Sequence, residues 1–402
     1  MSSIDKKGWI LLSVLLAAVL IGYIGRMSIS VALPSVTEDF GWSSREQGRL
    51  GGLLLGIFLI SYGFSNFFLS PFIDRIGPKV TLSVSSLITA VSLFFAGLFG
   101  HMYFLFLFSR LLLGLAQGVV FPSASKIITT NFSLKARSRA NSIFISGAPL
   151  GSLITPLVVT PIIIVSSWEL ALYAVGLFNI LCIIPVLLVI PRGNENAEKA
   201  DRETRSSTRG VIKSLFGDVR FRLLLLSFTA MMSVWWGLVL WLPTYLIEEK
   251  GFLLSEMQYG ASIIYLGAAC GLFLGSWLSD ITGERRRIIS SGLFIAALFL
   301  VVITVVSFES KLLGVVLIFS VLIFLEMAPP VFFTLMQKMV PNSQVGTASG
   351  IMNGLGNVGG IIGPIAIGLI VSSTGSYALG LLFLGGCAFL GGSIVHFFYR
   401  EA

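Results

Sequence analysis

Residues 11–34 read LLSVLLAAVLIGYIGRMSISVALP, an apolar run long enough to cross a lipid bilayer. Arg26 lies inside this run, and its guanidinium cannot become neutral by losing a proton. A second arginine, Arg110, lies inside a similar run at 103–127. A charge at membrane depth costs at least ~2.5 kcal/mol on insertion scales, so such residues usually face a bundle interior, a water-filled cavity or a substrate path. The two arginines therefore predict a membrane transporter that handles anions.

Composition supports a membrane protein along the whole chain. The 402 residues are 55% hydrophobic and only 11% charged, whereas a soluble domain carries about 25% charged residues. The apolar runs are continuous rather than alternating, which favours helices over a transmembrane β-barrel. The sequence predicts twelve membrane-spanning helices, near 11–34, 50–72, 80–98, 103–127, 140–165, 170–190, 223–247, 259–278, 288–308, 312–335, 349–371 and 377–398.

Lysine and arginine are distributed unevenly between the two sides of the predicted bundle. Most of them fall on the side of the N-terminus, which predicts that both termini are cytoplasmic. The net charge of +8 follows largely from this asymmetry, so no nucleic-acid partner is expected. Cys182, Cys270 and Cys387 all lie within predicted helices, which argues against a disulfide framework. We expect a monomeric multi-pass protein of the cell membrane, either plasma or bacterial inner membrane, whose surroundings are the lipid bilayer.

The chain divides into two halves that resemble each other. A polar stretch at 192–222 is expected to be a cytoplasmic linker between six-helix bundles at 1–191 and 223–402. Residues 139–156 align without gaps on residues 347–364, at an offset of 208. Parallel repeats of this kind fit transporters in which two bundles rock about a site near the bilayer midplane.

A second repeat lies in the loops after the second and eighth predicted helices. Residues 74–79 read DRIGPK and residues 280–285 read DITGER, so the first residues of the two copies lie 280 − 74 = 206 apart. The first copy resembles the signature D-R-x-G-[RK] of the major facilitator superfamily. A carboxylate at a helix end can pair with cationic loops or with the N-terminus of a facing helix. We expect these loops to latch one conformation, through Asp74, Arg75, Lys79, Asp280 and Arg285.

Two helices narrow the resemblance to one family. Residues 23–32, YIGRMSISVA, resemble the first helix of the anion:cation symporter family, Y-x-D-R-x-x-L-S-V-A. Residues 110–122, RLLLGLAQGVVFP, resemble its fourth helix, R-x-x-L-G-x-x-E-G-x-x-x-P. This family includes sugar-acid and hexuronate permeases and vesicular glutamate and sialic acid carriers. The resemblance implies an all-α major facilitator fold, with twelve transmembrane helices in two pseudo-symmetric six-helix bundles, and organic-anion transport without a cofactor.

The chain departs from that family at two acidic positions. The family's aspartate in helix one is Gly25 here, and its glutamate in helix four is Gln117. In the family, those carboxylates are implicated in proton coupling and the neighbouring arginines in anion binding or charge pairing. Glu326, in the tenth predicted helix, is the only carboxylate well inside a predicted helix, and it lies one residue from the repeat equivalent of Gln117. Either the titratable group has moved to Glu326, or Glu326 forms a structural ion pair with an arginine or lines a solvated cavity.

The remaining candidates are polar or aromatic residues within the predicted helices. Tyr23, Tyr62 and Tyr265 stand where the family often has tyrosine, and Trp236 replaces its usual aromatic residue. Asn353 and Asn357 are four residues apart and share a helix face. Core packing is the alternative interpretation of each aromatic residue. The predicted substrate-binding residues are Arg26, Arg110, Gln117, Tyr23, Tyr62, Trp236, Tyr265, Asn353 and Asn357. The predicted coupling and gating residues are Glu326, Asp74, Arg75, Lys79, Asp280 and Arg285.

These patterns favour transport over catalysis. The sequence has neither His-Glu-x-x-His nor Gly-x-Ser-x-Gly, and its two histidines, His101 and His396, lie near opposite membrane faces. We expect no enzyme activity and no bound metal. The preferred function is secondary active or facilitative transport of a small organic anion (a carboxylate, sugar acid or organophosphate) by rocker-switch alternating access, with proton coupling through Glu326 left open. The alternatives are an exporter of amphipathic compounds and a non-transporting membrane sensor with the same fold.

Overall fold

The computed structural model describes residues 5–69, 73–132, 134–191, 208–305, 310–341 and 344–399, and within these ranges it is helical without strands. The α-helices are α1 Lys6–Asp39, α2 Ser44–Glu46, α3 Gly52–Phe64, α4 Ile73–Ile76, α5 Pro78–Phe99, α6 Tyr103–Gln117, α7 Val120–Asn131, α8 Leu134–Ile145, α9 Gly147–Val165, α10 Trp168–Val189, α11 Thr208–Gly217, α12 Val219–Glu248, α13 Leu254–Thr282, α14 Arg285–Val305, α15 Lys311–Glu326, α16 Ala328–Gln337, α17 Val345–Thr374 and α18 Tyr377–Ser393. Within the described ranges, the π-helical stretches are Gln47–Gly51, Ser65–Leu69 and Ile394–Phe398.

Eleven helical stretches in the described ranges are long and apolar enough to cross a membrane. The predicted run at 50–72 does not form one continuous α-helix. It contains α3 between the π-helical stretches Gln47–Gly51 and Ser65–Leu69, and residues 70–72 lie outside the described ranges. The all-helical membrane architecture is therefore confirmed, whereas the count of twelve helices and the cytoplasmic termini stay predictions.

Large apolar side chains point away from the protein along most of these helices. Phe104 is 82% exposed, Val165 86% and Leu188 79%. A soluble monomer rarely leaves so much apolar surface in water, whereas lipid tails cover such side chains at no cost. The outward-facing residues thus fit a bundle whose solvent is the bilayer.

The described chain forms two compact units. Unit 1 comprises Met1–Ala32 and Ile60–Glu203. Within it, α5 packs against α6 and α10, and α9 packs against α10. The first half of α1 joins α7, α8 and α10 in an apolar cluster that includes Leu15, Ile127 and Phe144. This packing fixes the helices that carry the two buried arginines.

Unit 2 comprises Leu33–Leu59 and Thr204–Ala402. Within it, α12 packs along α17, α13 along α15, and α14 along α18. The π-helical stretch Gln47–Gly51 also lies against α17, where a Cβ atom on Gly368 would stand only 2.2 Å from the carbonyl oxygen of Gly48. Glycine is required there because the two backbones touch. The predicted bundle boundaries at 191 and 223 stay predictions.

Both repeats contain a helix that breaks at an equivalent place. The helix α6 ends at Gln117 before α7, and α15 ends at Glu326 before α16; the two end residues are 326 − 117 = 209 apart. Proline lacks an N–H, so Pro122 and Pro330 cannot bond the carbonyls four residues earlier. The two prolines are separated by 330 − 122 = 208, the offset found between the repeats.

Both loop motifs contain a glycine with a positive φ angle. Gly77 has φ +88° and Gly283 has φ +67°, both in the left-handed region that residues with a Cβ atom rarely adopt. These glycines lie 283 − 77 = 206 apart. The repeated glycine is therefore required by the turn that ends α4 in one copy and α13 in the other.

Candidate functional site

Arg26 is the centre of a cluster in unit 1. Its side chain is only 1% exposed. The guanidinium carbon lies 4.4 Å from the ring centroid of Tyr23 and 4.6 Å from that of Tyr62. Tyr23 is on α1 with Arg26, and Tyr62 is contributed by α3. A guanidinium stacks well on aromatic faces, so the two rings hold this cation in a fixed position.

Arg110 on α6 is also 1% exposed. On the same helix, Gln117 lies two turns after Arg110 and contacts α1 at Gly22, one turn before Arg26. Among the described residues of unit 1, these two arginines are the buried charged side chains, and the other buried polar side chains are neutral. Burying two like charges is costly, and a negative group placed between them would lower that cost.

Gln117 packs against α1 and bonds to a residue of α5. Its Nε2 donates to the Oγ1 of Thr89 at 2.9 Å. Its side chain also fills the space next to Gly22, where a Cβ atom would lie 2.9 Å from its Oε1. A Cβ atom on Gly25 would lie 3.5 Å from Cγ2 of Thr89. Gly25 and Gln117, the two positions that depart from the family's motifs, therefore both lie against Thr89.

Thr89 and Asn179 were not among the predicted site residues. Both are buried, and the Nδ2 of Asn179 lies 3.7 Å from the Cβ position of Gly25. Asn179 is an isolated amide within the predicted apolar run at 170–190, whereas Thr89 is one of several hydroxyl residues in the run at 80–98. The isolation of Asn179 is a signal in the sequence that could have identified it, and Thr89 has no such signal.

Three predicted residues of unit 2 form a second polar cluster. The Nε1 of Trp236 donates to Oδ1 of Asn357 at 2.9 Å. The Nδ2 of Asn357 donates in turn to the backbone oxygen of Asn353 at 2.7 Å. Phe58 packs edge to face on Trp236, with ring centroids 5.6 Å apart. The arrangement joins α12, α17 and α3 by aromatic and amide groups that carry no net charge.

Tyr265 takes a different position from the other predicted tyrosines. Its hydroxyl donates to the carbonyl oxygen of Val239 on α12 at 2.9 Å. Pro243, four residues after Val239, has no N–H with which to bond that carbonyl. The phenol of Tyr265 therefore satisfies a backbone group that would otherwise stay without a donor in the membrane. Its contact with substrate stays a prediction.

Glu326 is the last residue of α15 and is 8% exposed. A Cβ atom on Gly271 of α13 would lie 3.0 Å from the Cβ of Glu326, so the two helices touch at this point. The ion pairs found among the described residues of unit 2 join Arg220 to Asp218, Arg287 to Glu284 and Lys311 to Glu256. Glu326 takes part in none of these three.

The predicted latch is described only in part. The side chains of Asp74 and Arg75 lie outside the described residues. Lys79 is half-buried in the first turn of α5, Asp280 is exposed near the end of α13, and Arg285 is half-buried at the start of α14. The role of these five residues stays a prediction.

Comparison with known proteins agrees with this architecture. The family profile described as Major Facilitator Superfamily matches residues 15–364. A probable sulfoacetate transporter of Cupriavidus necator is 29% identical over 94% of this chain and 91% of its own length. A hexuronate transporter of Bacillus subtilis is 26% identical over 96% of this chain and 93% of its own.

Solved structures agree on the fold. The crystal structure of a bacterial homologue of the human lysosomal transporter Spinster, in an inward-facing and occupied conformation, has a TM-score of 0.78. It is 18% identical, and the match covers 99% of this chain and 97% of that one. The resemblance predicted from the motifs of the first and fourth helices is thereby confirmed, because the matched relatives are named transporters and include a hexuronate carrier.

Proposed function

Because the chain belongs to the major facilitator superfamily, we propose that it carries a small organic anion by alternating access and that Arg26 and Arg110 bind the anion. As a member of this family it is a transporter rather than an enzyme, and a multi-pass protein of the cell membrane. The observation that carries the proposal is the pair of buried arginines in unit 1.

Two guanidiniums suit the recognition of an anion. Hydrogen bonds between arginine and a carboxylate, sulfonate or phosphate are charge-assisted and often bidentate, which makes them stronger and more directional than neutral ones. Tyr23 and Tyr62 hold one of the cations in place before the anion arrives, which reduces the entropy lost on binding. The names of the two relatives, a sulfoacetate and a hexuronate transporter, support an organic acid as the substrate.

The neutral residues complete the proposed mechanism. Gln117, Trp236, Asn353 and Asn357 offer amide and indole groups that suit the hydroxyl or carbonyl groups of a substrate. Tyr265 acts through the position of α12, because its hydroxyl bonds to that helix. We propose that the protein is a monomer with twelve membrane-spanning helices and cytoplasmic termini. During transport, its predicted bundles, 1–191 and 223–402, rock about the substrate site. The latch in this scheme is formed by Asp74, Arg75, Lys79, Asp280 and Arg285.

Proton coupling, where it occurs, is proposed to pass through Glu326. Gly25 and Gln117 cannot exchange a proton at ordinary pH. Glu326 is the buried carboxylate among the described residues, and it ends the helix that is equivalent to the one ending at Gln117. Ionisable residues inside the membrane commonly serve proton relays.

Thermal stabilisation of the purified protein tests the proposal. A ligand that binds only the folded state contributes about 2.7 kcal/mol at a hundredfold excess over its Kd. We expect at least one of sulfoacetate, galacturonate, succinate and glycerol 3-phosphate to raise the Tm, and Arg110→Gln to abolish that rise. Arg45→Gln is the matched control, because Arg45 is exposed.

Two results would contradict the proposal. A rise in Tm that survives in Arg110→Gln would make Arg110 a structural residue. A panel without any stabilising anion would favour the exporter of amphipathic compounds or the sensor.

A further inference from the structure

We infer that Thr89 is a positioning residue of the proposed anion site, whose hydroxyl holds the amide of Gln117 in one orientation. The inference rests on the proposed function and adds a residue to it. Thr89 is fully buried in the middle of α5, and its Oγ1 accepts a hydrogen bond from Nε2 of Gln117 at 2.9 Å. A side-chain amide has a donor end and an acceptor end of nearly equal shape, so a bond to one end fixes which of them faces the substrate.

Two serines hold the backbone at the end of α6, next to this amide. Ser85 lies on α5, one turn before the threonine and on the same face, and its hydroxyl donates to the carbonyl oxygen of Ala116 at 2.6 Å. Ser65, in the π-helical stretch after α3, donates to the carbonyl oxygen of Leu115 at 2.6 Å. Directional bonds from two neighbouring segments thus fix the last turn of α6, which leaves the side chain of Gln117 to be oriented by Thr89.

The equivalent break in unit 2 is packed against glycines instead. At the repeat offset, the two bonded carbonyls correspond to those of Ile323 and Phe324 in α15 (323 − 115 = 208 and 324 − 116 = 208). A Cβ atom on Gly271 would lie 2.3 Å from the first oxygen, and one on Gly292 would lie 2.6 Å from the second. A membrane helix of this protein can therefore break at the same place against bare backbone, so the break alone does not explain the hydroxyl groups of unit 1.

Thr89 corresponds to an alanine in unit 2. Ser85 and Gly292 contact equivalent carbonyls, and the residues four positions further on are Thr89 and Ala296. Ala296 is also fully buried, but its methyl group cannot accept a hydrogen bond. The hydroxyl is thus specific to the unit that contains the two buried arginines, which is where the proposed anion site needs an oriented amide.

The helix α1 confines the amide from the other side. A Cβ atom on Gly22 would lie 2.9 Å from Oε1 of Gln117, so the amide lies between α1 and Thr89 of α5. Gln117 stands about two turns after Arg110 and on the same face of α6. A polar group that is held in place before the substrate arrives loses less entropy on binding. Without the hydroxyl of Thr89, the amide would be free to turn over, and binding would weaken.

Variants that differ in the hydroxyl group test this inference. Thr89→Val removes the hydroxyl and nearly keeps the shape, whereas Thr89→Ser keeps the hydroxyl. Thr160→Val is the matched control, because Thr160 is a fully buried threonine of unit 1 whose Oγ1 has no hydrogen-bond partner among the described residues. Thermal stabilisation gives the dissociation constants of sulfoacetate, galacturonate, succinate and glycerol 3-phosphate. Uptake into proteoliposomes gives the KM and the maximal rate for each anion that binds.

We expect Thr89→Val to bind the anion about fivefold more weakly than the wild type does, which is the order of effect of one neutral hydrogen bond. The KM of uptake should rise by the same factor while the maximal rate stays unchanged. Thr89→Ser and Thr160→Val should both bind within twofold of the wild type.

A double variant shows whether Thr89 acts through Gln117. Gln117→Met keeps an unbranched side chain of similar length and removes the amide. Adding Thr89→Val to Gln117→Met should cause no further loss of affinity, because the amide that the hydroxyl orients is already gone. Two independent contributions would add instead.

Three results would overturn the inference and leave the proposed function standing. They are wild-type affinity in Thr89→Val, an equal loss in Thr89→Val and in Thr89→Ser or Thr160→Val, and a further loss in the double variant. Thr89→Ala replaces Thr89→Val in each comparison if the valine variant does not fold. If the wild type binds none of the four anions, the proposed function fails and the inference fails with it.

Discussion

The breaks after Gln117 and Glu326 have the same backbone conformation but differ in the charged side chains of their units. Each ends a membrane helix, and the prolines that follow, Pro122 and Pro330, stand at the same repeat offset. The break in unit 1 has a neutral amide and lies near two buried arginines, whereas the break in unit 2 has an acid and, among the described residues, no buried cation. The two repeats thus share the geometry of the helix break, but the buried cations lie in unit 1 and the buried acid lies in unit 2. In our account, unit 1 binds the anion and unit 2 carries the titratable group.

Removing the carboxylate of Glu326 is expected to have the largest effect on transport. Glu326→Gln keeps the shape of the side chain and removes its ability to take up a proton. Accumulation driven by a pH gradient should fall to the equilibrium level, while exchange of anion across the membrane continues. Proteoliposomes loaded with and without anion separate these two activities.

The matched control for that variant is Glu256→Gln, which removes an exposed carboxylate paired with Lys311. It should leave both activities near those of the wild type, because exposed ion pairs contribute little. Undiminished accumulation in Glu326→Gln would show that the break in unit 2 is not the coupling site.

Removing the aromatic ring of Tyr62 beside Arg26 is expected to have a smaller effect, on the affinity for the anion. Tyr62→Ala removes one of the two faces on which the guanidinium rests. A desolvated cation–π contact contributes about 2 kcal/mol, so the affinity for the anion should fall about 30-fold. Tyr62→Phe keeps the ring and should bind almost as the wild type does. Equal loss in both variants would mean that the hydroxyl, and not the ring, supports the site.

Two glycine variants compare how tightly the helices pack near the two breaks. Their expected effect, a loss of stability, is the smallest of the effects predicted here. A Cβ atom on Gly271 would lie 2.3 Å from the backbone oxygen of Ile323, which cannot move easily. A Cβ atom on Gly22 would meet only the end of the Gln117 side chain, which can. Gly271→Ala should therefore cost about 1–3 kcal/mol of stability, and Gly22→Ala less. The Tm values of the two variants measure this, and the reverse order would contradict the described packing.

The two arginines within apolar runs were the feature that the sequence predicted best. An arginine in an apolar run is costly whatever surrounds it, so Arg26 and Arg110 could be selected without knowledge of packing. The family resemblance indicated Tyr23 and Tyr62 as substrate-binding candidates, and the structure places both rings against Arg26. Their contact with substrate stays a prediction.

The contacts between helices could not be predicted in the same way. Thr89 is one of several serine and threonine residues in its run, and their spacing does not indicate which face of α5 meets Gln117. Likewise, the bond from Tyr265 to Val239 depends on how α13 lies beside a proline of α12. The π-helical stretches at the two ends of α3 were not predicted, and the approach of Gly48 to Gly368 is a contact between residues distant in the chain. The crossing of the membrane by the run at 50–72 stays a prediction.

The role of Arg110 in anion transport is decided by uptake into proteoliposomes. The wild type, Arg110→Gln and Arg45→Gln are supplied in turn with sulfoacetate, galacturonate, galactarate and succinate. We expect the wild type and Arg45→Gln to take up at least one of these anions. Arg110→Gln should transport that anion about 100-fold more slowly, because a loss of about 2.7 kcal/mol of binding energy corresponds to a factor of about 100. Equal uptake by Arg110→Gln, or no uptake of any of the four anions by the wild type, would contradict this role.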